Sequence, residues 1–281
     1  LAPTSISLDP APCPRNFAST TGAAQAVENN LTLVFYAFSR EVSALKRRLK
    51  NRVPLKLKSL NGFRAITAAG EIAFIATGLG TRRSREVVAR ALSEFPQTDF
   101  IIGTGIAGAL SGGLRPGDIV IADRLVRTRE DSLHPEHVIP VDRQTIDYCE
   151  RVMQAAGLEF STGAILTSRG VLPDAESKRL AKKESGAIAV DMESVAIAFA
   201  ATSRGIPFAV VRTVMDSLED EIFGAEVADE EGRVRPLAAA NYLVHNPAAF
   251  LKMPRMLRNL ALATRSLADA IEALSLAGPP F

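Results

Sequence analysis

The chain has 281 residues, 47% hydrophobic and 23% charged, with a formal net charge of +2, an ordinary composition for a soluble globular protein and not the concentrated basic stripe of a nucleic-acid binder. Tryptophan is absent and aromatic residues make up only 6%, which argues against a platform for stacking unpaired bases. No apolar run reaches the ~20 residues of a membrane-spanning helix, and Cys13 and Cys149 stand too far apart for a metal or redox motif, so both are read as free thiols of a reducing cytoplasm.

Residues 1–30 contain four prolines and no continuous apolar segment of the signal-peptide kind, and they read as a polar, flexible extension. The remainder, 31–281, is expected to form a single domain, since α/β domains often exceed 200 residues. Leu31–Ala37 (LTLVFYA) is the first strand, and Ser39 offers an N-cap to a helix over EVSALKRRLK with basic residues in its last turns. A hairpin of Leu55–Leu57 with Phe63–Ala68 is expected around Asn61–Gly62, followed by a buried strand over Glu71–Thr77. Gly78-Leu79-Gly80 leads into a helix over Arg83–Phe95. Asp99–Gly105 is a strand, a glycine-rich loop follows, and Asp118–Asp123 is the next strand. Residues 124–141 read as irregular, with His134 and His137 on a surface loop, because Pro135 breaks the helical spacing of a metal site.

Farther on, helices over Arg143–Ala156, Ala175–Glu184 and Met192–Arg204 alternate with strands over Gly163–Thr167, Gly186–Val190 and Pro207–Val211. Residues 217–236 read as a polar loop, and helices fill Leu237–Leu274. The alternation predicts one α/β domain with helices on both faces of the sheet.

Gly103-Thr-Gly-Ile-Ala-Gly108 matches G-x-G-x-x-G directly after a strand. A dinucleotide site also needs a helix opening at the third glycine. Gly112, Gly113, Pro116 and Gly117 prevent one, so the dinucleotide reading fails in its context. Glycine instead lets backbone groups approach a ligand closely. The strand end around Ile106, Ala107 and Gly108 and the second one at Gly78–Gly80 are read as walls of one site beyond the carboxyl ends of the strands; tight turns are the plain alternative.

In AVDMESVAIAFAA, Asp191 is read as a helix N-cap. Glu193 either complements the helix dipole or faces a pocket, and the apolar VAIAFAA behind it leaves little solvent face. Arg212 and Asp216 sit at and beyond the end of the strand in IPFAVVRTVMD.

VDMES, the 23 positions from Glu193 to Asp216 across GIPF, the pattern T-G-x-A-G-x-L from Thr104 to Leu110 and the following PGDIV keep the order seen in the nucleoside phosphorylase/nucleosidase superfamily, which this chain resembles. It resembles especially the methylthioadenosine/S-adenosylhomocysteine nucleosidases. GIAGAL, AVDMES and the basic C-terminal helix are similar to hopanoid-associated phosphorylases, thought to act on adenosylhopane. The resemblance implies a three-layer α/β/α sandwich with a central mixed, twisted sheet flanked by helices. It implies cleavage of the N-glycosidic bond of an adenosine-type nucleoside without metal or organic cofactor, in a homodimer. Glu193 then grips the ribose hydroxyls, Met192 packs on the sugar, Asp216 protonates the leaving purine at its seven-position nitrogen, and Glu41 positions the attacking water. Gly78, Ile106, Ala107, Gly108, Leu172 and Arg212 complete the expected substrate site.

Three positions depart from the pattern: Met215 and Ile106 stand where a serine is common, and Leu172 where an aromatic stacks on adenine, together implying a greasier pocket. Gly103 replaces an arginine common in the purine phosphorylases, which favours water as nucleophile. Arg82, Arg83 and Arg85 form either a phosphate site at a helix start or a solvated helix face. Phosphorolysis is the rival reaction. A non-catalytic nucleoside- or dinucleotide-binding protein is the rival class, and it needs no acid at 216. The C-terminal segment reads as a helix covering the sheet or a subunit interface; the sharper alternative is a cytoplasmic enzyme touching the inner membrane peripherally through Phe250–Leu262.

Overall fold

Alternation of side chains between two faces sets the architecture. In β1 (Leu31–Tyr36), Leu31, Leu33 and Phe35 enter one core cluster while Val34 and Tyr36 enter another. The computed structural model describes residues 30–55, 57, 60–128, 135–222, 245 and 247–280. The N-terminal extension, Cys13, His134 and most of 217–244 lie outside them, apart from Asn30 and Ser217–Ile222.

After α1 (Ser43–Arg48) and β2 (Val53–Pro54) come β3 (Gly62–Thr67), β4 (Gly70–Ala76), α2 (Thr81–Glu94) and β5 (Phe100–Ala109). Next are β6 (Ile119–Thr128), β7 (Pro135–Pro140), α3 (Arg143–Ala155), β8 (Phe160–Thr167) and α4 (Ala175–Ser185). The chain continues through β9 (Ala189–Asp191), α5 (Ser194–Thr202) and β10 (Phe208–Asp216) to α6 (Pro247–Ala277). The strands form one mixed sheet in the order β2-β3-β4-β1-β5-β10-β6-β8-β9, with β7 on β6. β9 returns antiparallel to the end of β5, pairing Gly108 with Val190, so the strands from β5 to β9 curl into a closed ring. α2 and α5 cover one face and α1, α3 and α6 the other, the expected three-layer sandwich.

Several boundaries move for physical reasons. β5 runs straight through the glycine-rich stretch expected to be a loop, because β10 pairs with it in parallel from Ile101 to Gly108 and holds glycines that local propensity disfavours. A side chain at Gly103 would lie 3.2 Å from Val210 and 3.3 Å from Ile197, so that glycine lets α5 sit close on the sheet. Within 124–141, expected to be irregular, β6 reaches Thr128 and Pro135–Pro140 forms β7, which carries His137. This edge strand is exposed along Glu136–Val138 and sets only Ile139 against the core, too little to leave an alternating pattern. The strand paired with Phe63 and Arg64 is Val53–Pro54 rather than Leu55–Leu57, of which Leu55 still donates its N–H to the Gly62 carbonyl at 3.1 Å, and the tighter hairpin is β3–β4. Ser39 caps nothing: α1 starts at Ser43 behind Val42, and the turn between strand and helix is closed by Glu41.

Candidate active site

The ends of β1, β4, β8 and β10 meet the middle of β5 and the β9–α5 junction around one cavity of about 640 Å³, its open mouth included. It lies where ligands bind in open α/β sheets, beyond the carboxyl ends of parallel strands. Glu41, Glu193 and Asp216 line it, as do Met192, Ile106, Ala107, Gly108 and Leu172.

Glu41 is 1% exposed. Its Oε2 accepts the Ala37 and Phe38 N–H groups at 2.7 and 3.1 Å, and its Oε1 accepts the Ile106 N–H at 3.0 Å. These bonds tie the end of β1 to the middle of β5. Burial raises the Glu41 pKa, against the opposing pull of Arg212 and of the three backbone N–H groups. A carboxylate so held keeps lone pairs for a water molecule and is more basic than one in solution.

Arg212 is fully buried beneath Glu41. Its guanidinium pairs with Asp191 at 2.6 Å and donates to the Thr104 carbonyl at 2.6 Å and to Ser194 Oγ at 2.9 and 3.2 Å. Arg212 therefore supports the floor and does not line the cavity, a correction to its expected place against substrate. Asp191 is likewise more than a helix cap. It does accept the Ser194 N–H at 3.3 Å, but it also takes the Thr167 hydroxyl at 2.8 Å, hydrogen-bonds Ser194 Oγ and neutralises Arg212. A buried pair of this kind is costly to break from one side, about 3–5 kcal/mol, because the remaining charge is stranded.

Glu193 occupies the N-cap position of α5 without capping it. Its Oε1 instead accepts the Gly80 N–H at 2.8 Å across the cavity wall, and the neighbouring Met192 carbonyl accepts the Thr81 hydroxyl at 3.0 Å. The start of α2 thus fixes the Met192–Glu193 corner. Burial pushes Glu193 up to about 8, with Asp191 and Glu41 adding to the rise and Arg212 and the Gly80 N–H opposing it.

The folded-state pKa of Glu193 exceeds its unfolded value of about 4.3. Its neutral form therefore stabilises the protein fully below that value, and the contribution is lost as pH rises through about 8. Glu193→Gln, neutral at every pH and still able to accept from Gly80, is expected to melt higher than the wild type by about 2–6 °C near pH 8. The gap should shrink towards pH 5, and scanning calorimetry across that range gives the answer: a gap independent of pH contradicts the assignment.

Asp216, 6% exposed, ends β10 beside Gly108, where a side chain would come within 3.0 Å of its Oδ2. The same Oδ2 receives Lys178 Nζ at 2.5 Å. Burial raises the Asp216 pKa most, Lys178 pulls it back, and Asp220 adds to the rise. Lys178 carries no motif in the sequence. Its one signal is register: on α4 the buried positions are Lys178 and Ala181, while Leu180 is 47% exposed, so the lysine points where an apolar residue is expected.

Gly78 stands behind the lining, donating to the Ala37 carbonyl at 3.0 Å, and Leu79 beside it faces the cavity instead. Arg82, Arg83 and Arg85 lie on the first turns of α2, and none is among the lining residues, so of the two readings the structure does not support a phosphate cluster beside the carboxylates. Met215 and Ile106, the two departures from a serine pattern, both line the cavity with Leu172, Val171 and Ile222, giving it a mostly apolar wall. Among the described residues no cluster of histidine, cysteine, aspartate and glutamate is arranged to hold a metal.

The model of the phosphorylase superfamily matches residues 33–243. A 5'-methylthioadenosine/S-adenosylhomocysteine nucleosidase of Staphylococcus aureus is 28% identical over 207 residues, covering 69% of this chain and 88% of the relative. Among solved structures, the 5'-methylthioadenosine/S-adenosylhomocysteine nucleosidase of S. pneumoniae with a transition-state inhibitor superposes with a TM-score of 0.66 at 20% identity, covering 88% of this chain and 99% of that one. The native futalosine hydrolase of Helicobacter pylori gives 0.64 at 16% identity, over 88% and 99% of the two chains. At these identities the solved structures speak to the fold.

Proposed function

The chain belongs to the phosphorylase superfamily and is an enzyme of N-glycosidic bond cleavage, and on that premise we propose that it hydrolyses an adenosine-type nucleoside to release adenine. The observation that carries this is the convergence of three buried carboxylates, Glu41, Glu193 and Asp216, on one cavity with an apolar wall. As the bond to the purine lengthens, the ribose gains oxocarbenium character and the purine gains negative charge. Asp216 gives its proton to the purine's seven-position nitrogen, and burial, which raises its pKa, favours the protonated form. Glu193 accepts from the ribose hydroxyls, and the growing cation favours the ionised form that burial disfavours in the free protein. Glu41, fixed by three backbone N–H groups, aligns water on the anomeric carbon and takes its proton. Met192 packs under the sugar.

Water is favoured over phosphate because Ile106 brings no hydroxyl and, among the described residues, no arginine lines the cavity. The apolar wall of Met215, Leu172 and Ile222 favours a greasier nucleoside than a small thioadenosine, and a nucleoside with an apolar 5'-substituent, such as adenosylhopane, is the extreme case. The direct test is adenine release from adenosine, methylthioadenosine and longer 5'-alkyl adenosines, with and without phosphate. We expect phosphate-independent release that improves with alkyl length. Strict phosphate dependence assigns phosphorolysis, and no release from folded protein under either condition overturns the enzyme reading.

The proposal extends to one catalytic domain over 31–281, acting as a homodimer that sedimentation velocity would detect. It also includes a peripheral membrane contact through Phe250–Leu262. On α6, Leu251 is 82% and Leu257 51% exposed, while Lys252 and Arg255 are engaged by Glu221 and Asp220 at 2.6 Å. Equal liposome co-sedimentation of wild type and a Lys252/Arg255/Arg258 charge reversal, or none in either, rules the contact out.

A further inference from the structure

We propose that Lys178 is the positioning residue of the reaction, holding Asp216 by one oxygen and the loop behind it by two carbonyls so that the other carboxylate oxygen meets the purine. The inference rests on the reading of Asp216 as the acid. An ammonium group has three N–H donors, and Lys178, with no exposed surface, uses each on a different acceptor: Asp216 Oδ2 at 2.5 Å, the Ser217 carbonyl at 2.9 Å and the Asp220 carbonyl at 2.8 Å. A fully saturated buried ammonium has one orientation. The carboxylate it grips is held in one as well, and Oδ1 has no hydrogen-bond partner among the described residues.

The loop after the acid is tied into the same arrangement. The Ser217 N–H and hydroxyl donate to Asp220 Oδ2 at 2.9 and 2.7 Å, and the Ile222 N–H donates to the Pro173 carbonyl at 2.8 Å just before α4. Ile222 and Leu172, on the two strapped segments, both line the cavity. Lys178 therefore joins the acid at the end of β10 to the wall that covers it. A lysine serving packing alone would not need a saturated ammonium; an apolar residue of similar volume fills buried space without stranding charge.

The proton follows a simple path. When Asp216 donates to the purine nitrogen, its O–H bond breaks and an N–H bond forms, leaving a carboxylate beside an ammonium, the pairing the site is built to hold. Solvent re-protonates Asp216 after adenine leaves. Other charges bear on the pair: Asp220 from the loop, itself bound to Arg255 at 2.6 Å, and Asp174 at the start of α4. Glu219 of the same loop is taken by Arg179 at 2.5 Å on the surface.

Lys178→Met is expected to lower kcat for adenine release about 10–100-fold with KM little changed, the signature of a displaced catalytic group. Lys178→Arg, which keeps the charge, should recover part of that loss. In an Asp216→Asn background the same Lys178→Met change should add no further loss, because its effect runs through the acid. Wild-type kcat in Lys178→Met, or an equal loss in both backgrounds, overturns the proposal while leaving the nucleosidase reading standing.

A second measurement needs no turnover. Carbon-13 titration of the aspartate carboxyls, with Asp216 identified by its loss in Asp216→Asn, should place its midpoint at higher pH in Lys178→Met than in wild type. Lys178→Gln serves for the same titration if the methionine variant does not fold. An unmoved midpoint overturns the proposal even if the protein releases no adenine from any nucleoside tested.

Discussion

Asp216→Asn is expected to lower kcat for adenine release by about 10²–10⁴-fold, the usual contribution of a positioned general acid. Asparagine has nearly the volume of aspartate and can hydrogen-bond the purine, so KM should change little; it cannot supply the proton that lets the purine leave neutral. The choice of asparagine matters because of Lys178. Its ammonium is buried 2.5 Å from the carboxylate, and an amide oxygen can still accept from it alongside the Ser217 and Asp220 carbonyls. Alanine would strand the ammonium at a cost of about 3–5 kcal/mol, mixing lost chemistry with lost stability. Kinetics and urea unfolding on the same preparation separate the two. A riboside of p-nitrophenol, whose leaving group needs no protonation, should be cleaved by Asp216→Asn with much less loss, whereas removal of Glu193 should impair both substrates. Undiminished adenine release by Asp216→Asn would remove Asp216 from the mechanism.

The strands were legible wherever burial on both faces produces a continuous apolar run, as in LTLVFY of β1 and FAVV of β10. Glu193 and Asp216 were legible through motif order and Glu41 through what the family resemblance implies, and the structure sets all three on one cavity. What stayed hidden depends on long-range pairing. Lys178 belongs to AESKRLAKKES, where neighbouring Arg179, Lys182 and Lys183 suggest a solvated face; only the buried register of α4 turns it inward. Asp191 and Arg212 lie on different strands, and no local spacing rule joins a residue that resembles a cap to an arginine at the far side of α5. Ser39 has the right chemistry for a cap, yet the chain turns on the carboxylate of Glu41 instead. For Lys178, Asp191 and Arg212 the partner comes from another element, which a local window cannot contain; at that turn Glu41 reaches back only three and four residues, to Phe38 and Ala37.

Gly105→Ala is expected to destroy activity and to destabilise the fold by several kcal/mol, although it adds one methyl group. Gly105 has φ +139°, a backbone conformation whose cost for a residue with Cβ is of order 1–3 kcal/mol. The added Cβ would lie 2.4 Å from Arg212 Nη1 and 2.6 Å from Glu41 Oε1. A clash with a flexible side-chain tip is usually relieved by a small rotation. Here neither tip is free: Glu41 is held by the Ala37, Phe38 and Ile106 N–H groups, and Arg212 by Asp191, Ser194 and Thr104. Relief must break one of these bonds or shift β5, adding about 1–3 kcal/mol of overpacking and moving the water-aligning carboxylate. Gly113→Ala is the matched control. It has no atom within 4 Å of its new Cβ and no positive φ, so it should unfold within about 0.5 kcal/mol of the wild type. Equal urea midpoints for the two variants would contradict this account. The middle glycine of G-x-G-x-x-G thus makes room not for a dinucleotide but for the protein's own glutamate and arginine to meet beneath the strand.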